Sequence, residues 1–315
     1  MSVKKICLLT NDVETTSIWF NCLRDETGLK VLQEGMPLLL DIYSKYNIKS
    51  TFYFTGYIAK LYPQIVKIIL KRGHEVASHG LSHKKEHGFD QMSYKQQVHH
   101  LRESKMILED ISGKEVIGFR APALRVNEDT GKALIESGYL IDSSIASQRF
   151  DWFMSFGGRK KLKWLSSPRL PYRTSSESLF KKGNSPIIEV PLSATLLPYL
   201  GTTMRIFPLL TRLQHRLLNL ENSINHKPIV FDIHPNELID ESNETRSISR
   251  RSDQLFAYLF QDLIRAQLKV KNLGHKALDL YDREIKYFMQ KNYQFITVRE
   301  YVENTFNGSQ GNRSV

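Results

Sequence analysis

Short runs of apolar, β-branched and aromatic residues alternate along this chain with segments of helical period, and nothing else in the sequence constrains the fold as much. "KICLLTND" reads as a strand, "MPLLLDIYSKYN" as a helix and "STFYFTG" as a strand. "YPQIVKIILKRG" follows as a helix, with proline near its start and glycine just past its end, the usual asymmetry of helix termini. "HEVASH" is a third strand, residues 93–111 a helix, "VIGFRAP" a strand, residues 127–137 a helix and "LIDSS" a strand. "PIIEVPL", "PIVFDIH" and "QFITV" come later, with helical segments between and after them. Repeated strand–helix alternation argues for a parallel sheet. With this many units and no glycine fingerprint for a dinucleotide, a closed or partly closed β/α barrel is expected rather than an open doubly wound sheet. Chemistry in such barrels sits at the carboxyl ends of the strands.

Two stretches break the rhythm. Residues 145–185 carry Trp152, Phe153, Phe156, Trp164 and Tyr172 together with the basic run "GRKKLK". This insertion suits a substrate lid, a bilayer contact, or a surface excursion with its own small core. Residues 236–252 are polar and read as a loop, and the tail from 307 to 315 is expected to be disordered. One barrel domain over residues 1–306, carrying that insertion, accounts for the rest. The helical stretch "MRIFPLLTRLQHRLLNLEN" has an apolar stripe at Leu209, Leu210, Leu213 and Leu217. It is expected to pack on the barrel core, and a membrane-surface helix is the alternative.

Charge and cysteine content narrow the partners. The 315 residues carry a formal net charge of +11 and a pI near 9.4. That excess attracts anionic partners, whether nucleic acid, acidic lipid headgroups or phosphorylated substrates, and a generally basic protein with no such partner is the plainer alternative; of these, no nucleic-acid partner is expected. Cys7 and Cys22 are too few for a disulfide scaffold or a cysteine metal cluster. The apolar run near the start is only "ICLL", too short for a signal-peptide core, and no run is long enough to span a bilayer. The expectation is a cytoplasmic protein, at most peripheral at the inner membrane face. On that reading the glycosylation-like triplets at Asn243, Asn307 and Asn312 are accidental.

The strand ends carry the chemistry. The first strand ends in Asp12-Val13-Glu14, and alternation points both acids to one face. The third ends in "SHGLSH", where His79 and His83 stand four apart. That spacing also suits one helix face, but the preceding valine and the internal glycine favour a strand end followed by a turn. Later strands end in Arg120-Ala121-Pro122, Asp142-Ser143-Ser144 and Asp232-Ile233-His234. Two histidines and a carboxylate suit Zn²⁺ with a position left open for water. A bound water becomes a hydroxide nucleophile near neutral pH. A second carboxylate can take its proton, and a remote histidine can protonate a leaving group. The set is complete for metal-assisted hydrolysis of an amide or ester. Singly, each feature has a plainer reading as a capping, salt-bridging or strand-end residue; their shared placement gives them weight.

The order "LLTNDVE", "GHEVASHGLSH", "GFRAPA", "YLIDSS", "IVFDIHP" resembles the NodB-like polysaccharide deacetylases of carbohydrate esterase family four, over nearly the whole chain. The resemblance implies a distorted (β/α)7-type barrel that removes N- or O-acetyl groups from sugars with a divalent metal, commonly zinc. It makes Asp12 the base, Glu14, His79 and His83 the metal ligands, Arg120 the residue that holds Asp12, and His234 the general acid. A backbone N–H near Ala123 would help the metal stabilise the oxyanion. This sequence departs from the family pattern in three places. The acids of the first motif are not adjacent, Ala123 replaces the tyrosine of an RxPY motif, and no clear Asp-Trp pair supports the acid histidine. Asp151-Trp152 and Asp232 are the candidates for that support. The implied substrate is an acylated sugar; the excess positive charge and the missing signal-peptide core point to a cytoplasmic, nucleotide- or lipid-linked intermediate of surface polysaccharide assembly. A sugar N-deformylase, a metal-independent allantoinase-like amidohydrolase and an inactive glycan or lipid-linked-sugar binder are the alternatives.

Overall fold

The structure is a computed structural model, and residues 4–148, 164–245 and 265–307 are described. The chain runs β1 (Lys5–Val13), β2 (Thr16–Ser17), β3 (Cys22–Leu23), α1 (Asp25–Lys30), α2 (Met36–Lys45), β4 (Thr51–Phe54), α3 (Gly56–Leu61), α4 (Pro63–Lys71), β5 (Glu75–Ser78), α5 (Tyr94–Ser112), β6 (Gly118–Phe119), α6 (Thr130–Glu136) and β7 (Ile141–Asp142). It continues through β8 (Tyr172–Arg173), β9 (Ile188–Glu189), α7 (Gly201–Ile206), α8 (Pro208–Asn225), β10 (Ile229–Asp232), α9 (Arg265–Lys269), α10 (His275–Gln290), β11 (Tyr293–Phe295) and α11 (Val298–Val302).

The main sheet has the order β10-β1-β4-β5-β6-β7-β9-β8, with β11 also on β1. Its pairs are parallel except β8 against β9. β1 is wholly buried from Cys7 to Val13 because β10 and β4 flank its two edges. Strands covered on both faces read as continuous apolar runs, which is why "ICLL" and "FYF" lack alternation. Past β9 the chain reaches back toward β10: Ser193 N–H donates to Val230 O at 3.1 Å, and Leu200 forms a parallel bridge with Asp232. The sheet thus curls into the distorted β/α barrel that the sequence led us to expect.

Three local readings change. The helix expected at Met36 is preceded by α1 and a π-turn over Val31–Gly35. The wider turn falls just before Pro37, whose missing N–H interrupts the regular ladder. In the insertion, Trp164, Leu179 and Phe180 join the main core, and β8 pairs with β9. This part therefore packs on the barrel rather than around a core of its own. Trp152, Phe153, Phe156 and the "GRKKLK" run lie outside the described residues, as do 246–252 and the tail from 308.

The third change is a correction. The leucine stripe of α8 does not face the core: Leu209, Leu210, Leu213 and Leu217 are 36–77% exposed. The buried face is Thr211, Gln214, His215, Leu218 and Asn222. Its polar members have partners inside. Gln214 donates to Leu197 O at 2.8 Å, Asn222 donates to Lys227 O at 2.7 Å, and His215 Nδ1 lies 2.9 Å from Glu284 Oε2. Periodicity shows that a helix is two-faced; the partners available on the barrel decide which face turns in. Among the described residues, no helix is long and apolar enough to cross a membrane.

Candidate active site

Alternation along β1 builds the floor of the site. Asn11 turns outward, where Tyr43 Oη donates to its Oδ1 at 2.7 Å. Thr10 and Asp12 turn inward, and Arg120 Nη1 donates to Thr10 Oγ1 and to Asp12 Oδ1, each at 2.9 Å. Glu14 follows, 5% exposed, and accepts from Thr16 Oγ1 at 2.8 Å.

The histidine pair sits on a strand end and a turn. β5 stops at Ser78, and Gly80 has φ 71°, a left-handed conformation that β-carbon-bearing residues resist. The first N–H groups of α3 then anchor the turn: Gly56 donates to Gly80 O and Tyr57 to Leu81 O, both at 2.8 Å. The two imidazole centroids stand 5.7 Å apart. His83 Nε2 is 3.3 Å from Glu14 Oε2, and His79 Nε2 is 3.6 Å from Asp12 Oδ2.

Arg120, fully buried at the end of β6, ties the site together. Besides Thr10 and Asp12, its Nη1 donates to Asp232 Oδ1 at 2.6 Å. Its Nη2 and Nε donate to Ser143 Oγ and O at 2.9 and 3.1 Å. The guanidinium carbon lies 4.2 Å from the Tyr53 ring centre. His234, just past β10, faces the same floor, with Nε2 3.9 Å from Asp12 Oδ2 and 4.0 Å from Glu14 Oε1. Its Nδ1 is 3.8 Å from Asp232 Oδ2 and 3.9 Å from Glu237 Oε1. Asp232 therefore stands between Arg120 and His234, while Asp151 lies outside the described residues. Ala123 has φ 52° and Leu124 φ 54°, so the chain turns sharply just after Arg120-Ala121-Pro122.

These neighbours set the charges. Burial would raise Asp12, but His79, Arg120 and His234 outweigh it and hold the carboxyl below its ordinary range. Burial and the adjacent Asp12 push Asp232 up to about 7. Burial would lower His234, but Asp232, Asp12, Glu237 and Glu14 prevail and raise it to about 9. Burial lowers His79 to about 4, so its ring is neutral near pH 7.

Two sets of side chains bear on where a cation would sit. Asp12, Asp232 and His234 offer atoms within 4.8 Å of one another. The Arg120 guanidinium already lies against both of those carboxylates and opposes a second cation there. Glu14, His79 and His83, the ligands that the resemblance implies, are not drawn that close together: His83 Nε2 meets Glu14 Oε2 at 3.3 Å, while His79 Nε2 stands 3.6 Å from Asp12 Oδ2. His79 Nδ1 lies 2.8 Å from the Arg120 carbonyl, which fixes the ring and leaves Nε2 as the lone-pair nitrogen. That Nε2 is buried and has no hydrogen-bond partner. A neutral imidazole held from behind, with an orphaned nitrogen aimed at carboxylates, fits a divalent cation.

Sequence reasoning missed Thr10, Tyr53 and the bond from Arg120 to Asp232. Thr10 was within reach of the alternation argument, two residues before Asp12. A cleft of about 130 Å³ beside the site is lined by Thr15, Asp25, Thr55, Tyr57 and His83, among others.

A polysaccharide deacetylase family profile matches residues 18–141. Over that segment the chain resembles the polysaccharide deacetylase family. The matched segment carries His79, His83 and Arg120; Asp12, Glu14, Asp232 and His234 lie outside it and join the site through the barrel. The peptidoglycan deacetylase of Helicobacter pylori is 30% identical over 123 residues, which is 39% of this chain and 41% of that protein. The chain thus matches well under half the length of such curated relatives. Two solved structures share the fold. A protein from Mycobacterium smegmatis described as a polysaccharide deacetylase aligns with TM-score 0.58 at 17% identity, covering 98% of this chain and 94% of that one. The Puue allantoinase aligns with TM-score 0.57 at 15% identity, covering 95% and 91%.

Proposed function

We propose that this chain is a metal-dependent hydrolase that removes an N-acetyl, or similar acyl, group from a sugar. The observation that carries the reading is the setting of Asp12. Its Oδ1 accepts from Arg120 at 2.9 Å, while its Oδ2 stands 3.6 Å from His79 Nε2 and 3.9 Å from His234 Nε2. A base, a candidate ligand and a candidate acid therefore meet around one carboxylate.

Glu14, His79 and His83 would hold the cation, zinc by their donor set. When bound, it polarises the acyl carbonyl and makes a water acidic. Asp12, ionised and free at Oδ2, accepts the proton of the attacking water. Arg120 keeps that carboxylate oriented and charged. His234, protonated at neutral pH, gives its proton to the departing amine nitrogen. Tyr57, 41% exposed in the cleft beside His83, offers a ring face to the sugar. This ring can do for the sugar what Ala123, standing where the family pattern has a tyrosine, cannot.

The intact base and acid argue against a mere binding protein. The orphaned His79 nitrogen favours the metal-dependent branch over an allantoinase-like one. The net charge of +11 suits a phosphate-bearing substrate, nucleotide- or lipid-linked. Cys7 and Cys22 are both unpaired and Cys22 is exposed, which suits a reducing, cytoplasmic compartment.

The test is acetate release from nucleotide-linked, lipid-linked and polymeric N-acetylated sugars by wild type and Asp12→Asn. Turnover should fall about a thousandfold in Asp12→Asn while substrate binding survives. Full activity in the variant would remove Asp12 as the base. Formate release from formylated sugars in preference to acetate would identify a deformylase.

A further inference from the structure

We propose that the outward face of α8 docks on an anionic lipid bilayer. This surface stands apart from the active-site reading and does not depend on it. Leu209, Leu213, Leu217, Leu220 and Ile224 are 77%, 52%, 46%, 57% and 74% exposed, one row along an 18-residue helix. Leu196 extends the patch: it is 71% exposed on a turn held to α8 by Gln214, which donates to Leu197 O at 2.8 Å. A contiguous apolar surface of this kind marks an interaction site rather than ordinary scattered exposure.

Charge decides the occupant. Arg212 and Arg216 flank the row and are exposed. The one acid of α8, Glu221, faces Arg169 at 2.6 Å and Lys227 at 3.5 Å. The outer face is thus leucine and arginine with no exposed acid, the composition of a helix lying at an anionic interface. The spacing of Leu210, Leu213, Leu217, Leu220 and Ile224 also suits a helix-pairing seam. An antiparallel pair of identical helices would, however, bring the arginines of two copies together without acids to offset them.

The experiment is cosedimentation of the full chain with vesicles of phosphatidylcholine alone and of an equal mixture with phosphatidylglycerol. Wild type is compared with Leu213→Gln/Leu217→Gln/Leu220→Gln and with Arg212→Ala/Arg216→Ala, and thermal melts check that both variants fold. Wild type should bind the mixed vesicles and not the neutral ones. Each variant should bind roughly tenfold more weakly or worse, and salt should release wild type. No binding to mixed vesicles, or equal binding to both kinds, would overturn the proposal. So would a dimer by light scattering that the leucine variant breaks, because the face would then pair two copies of this chain.

Discussion

Arg120 Nη1 lies 2.9 Å from Oδ1 of Asp12, and the guanidinium is fully buried. The same nitrogen serves Asp232, so one cation bridges two buried carboxyl groups. Removing it strands both. Arg120→Gln should cost about 3–5 kcal/mol of stability, measured by urea unfolding. Arg120→Lys should recover little, because a single ammonium cannot also reach Ser143 with two donors. Without the guanidinium Asp12 rises, so the acidic limb of the activity profile should move to higher pH. A variant with wild-type stability and an unmoved limb would show that Arg120 does not hold Asp12.

On the proposed mechanism the pH dependence has a second limb, set by His234. Its carboxylate neighbours raise it to about 9, so it is protonated across the neutral range. Hydrolysis should be lost as pH rises through about 9, and His234→Gln should remove that limb while lowering turnover about a hundredfold or more. The stability sign follows from the same shift. A histidine raised in the folded state contributes stability that is fully present below its unfolded value of about 6.5 and is lost as pH rises through about 9. A pH–rate profile and unfolding at pH 7 and 10 check both statements. A flat profile between those pH values would exclude His234 as the acid.

Metal content separates the two possible ligand groupings without an activity assay. Wild type soaked in zinc and desalted should retain about one zinc per chain by mass spectrometry. His83→Ala should lose it and stay folded, because that side chain is 24% exposed and fills no core space. Asp232→Asn should keep the metal if Glu14, His79 and His83 are the ligands. The opposite pattern, with metal lost in Asp232→Asn and kept in His83→Ala, would assign the cation to Asp12, Asp232 and His234.

Much of this site was legible because strand alternation is rigid. Two-residue spacing put Asp12 and Glu14 on one face, and the valine and glycine around His79 distinguished a strand end from a helix. The sheet order brought Arg120 and His234 to the same end. What remained hidden depends on contacts that no local pattern encodes. Asp232 read as a strand-end acid near His234, yet it reaches Arg120, 112 residues away in sequence. The leucines of α8 announced a two-faced helix, but only Glu284, Leu197 and the other buried partners show that its polar side is the inner one.

Gly35 gives the clearest case of a hidden contact with a functional consequence. It ends the π-turn before α2, and the sequence marks it as nothing more than a glycine between helical segments. In the fold it lies against the carbonyl of Pro235, the residue after His234, and a methyl group at Gly35 would collide with that carbonyl oxygen. In an open helix, alanine for glycine would stabilise by about 0.5–1 kcal/mol. Here the collision should reverse the sign, to a loss of about 1–3 kcal/mol. The chain after β10 must yield, and His234 with it. A shift near 1 Å can cost about a hundredfold in rate. Gly35→Ala should therefore lower kcat while leaving zinc content and KM close to wild type, since Glu14 directly follows β1 and His79 and His83 lie on the turn after β5. Steady-state kinetics with zinc analysis of the same sample checks this. Unchanged kcat would show that the His234 loop accommodates the methyl group without moving the imidazole.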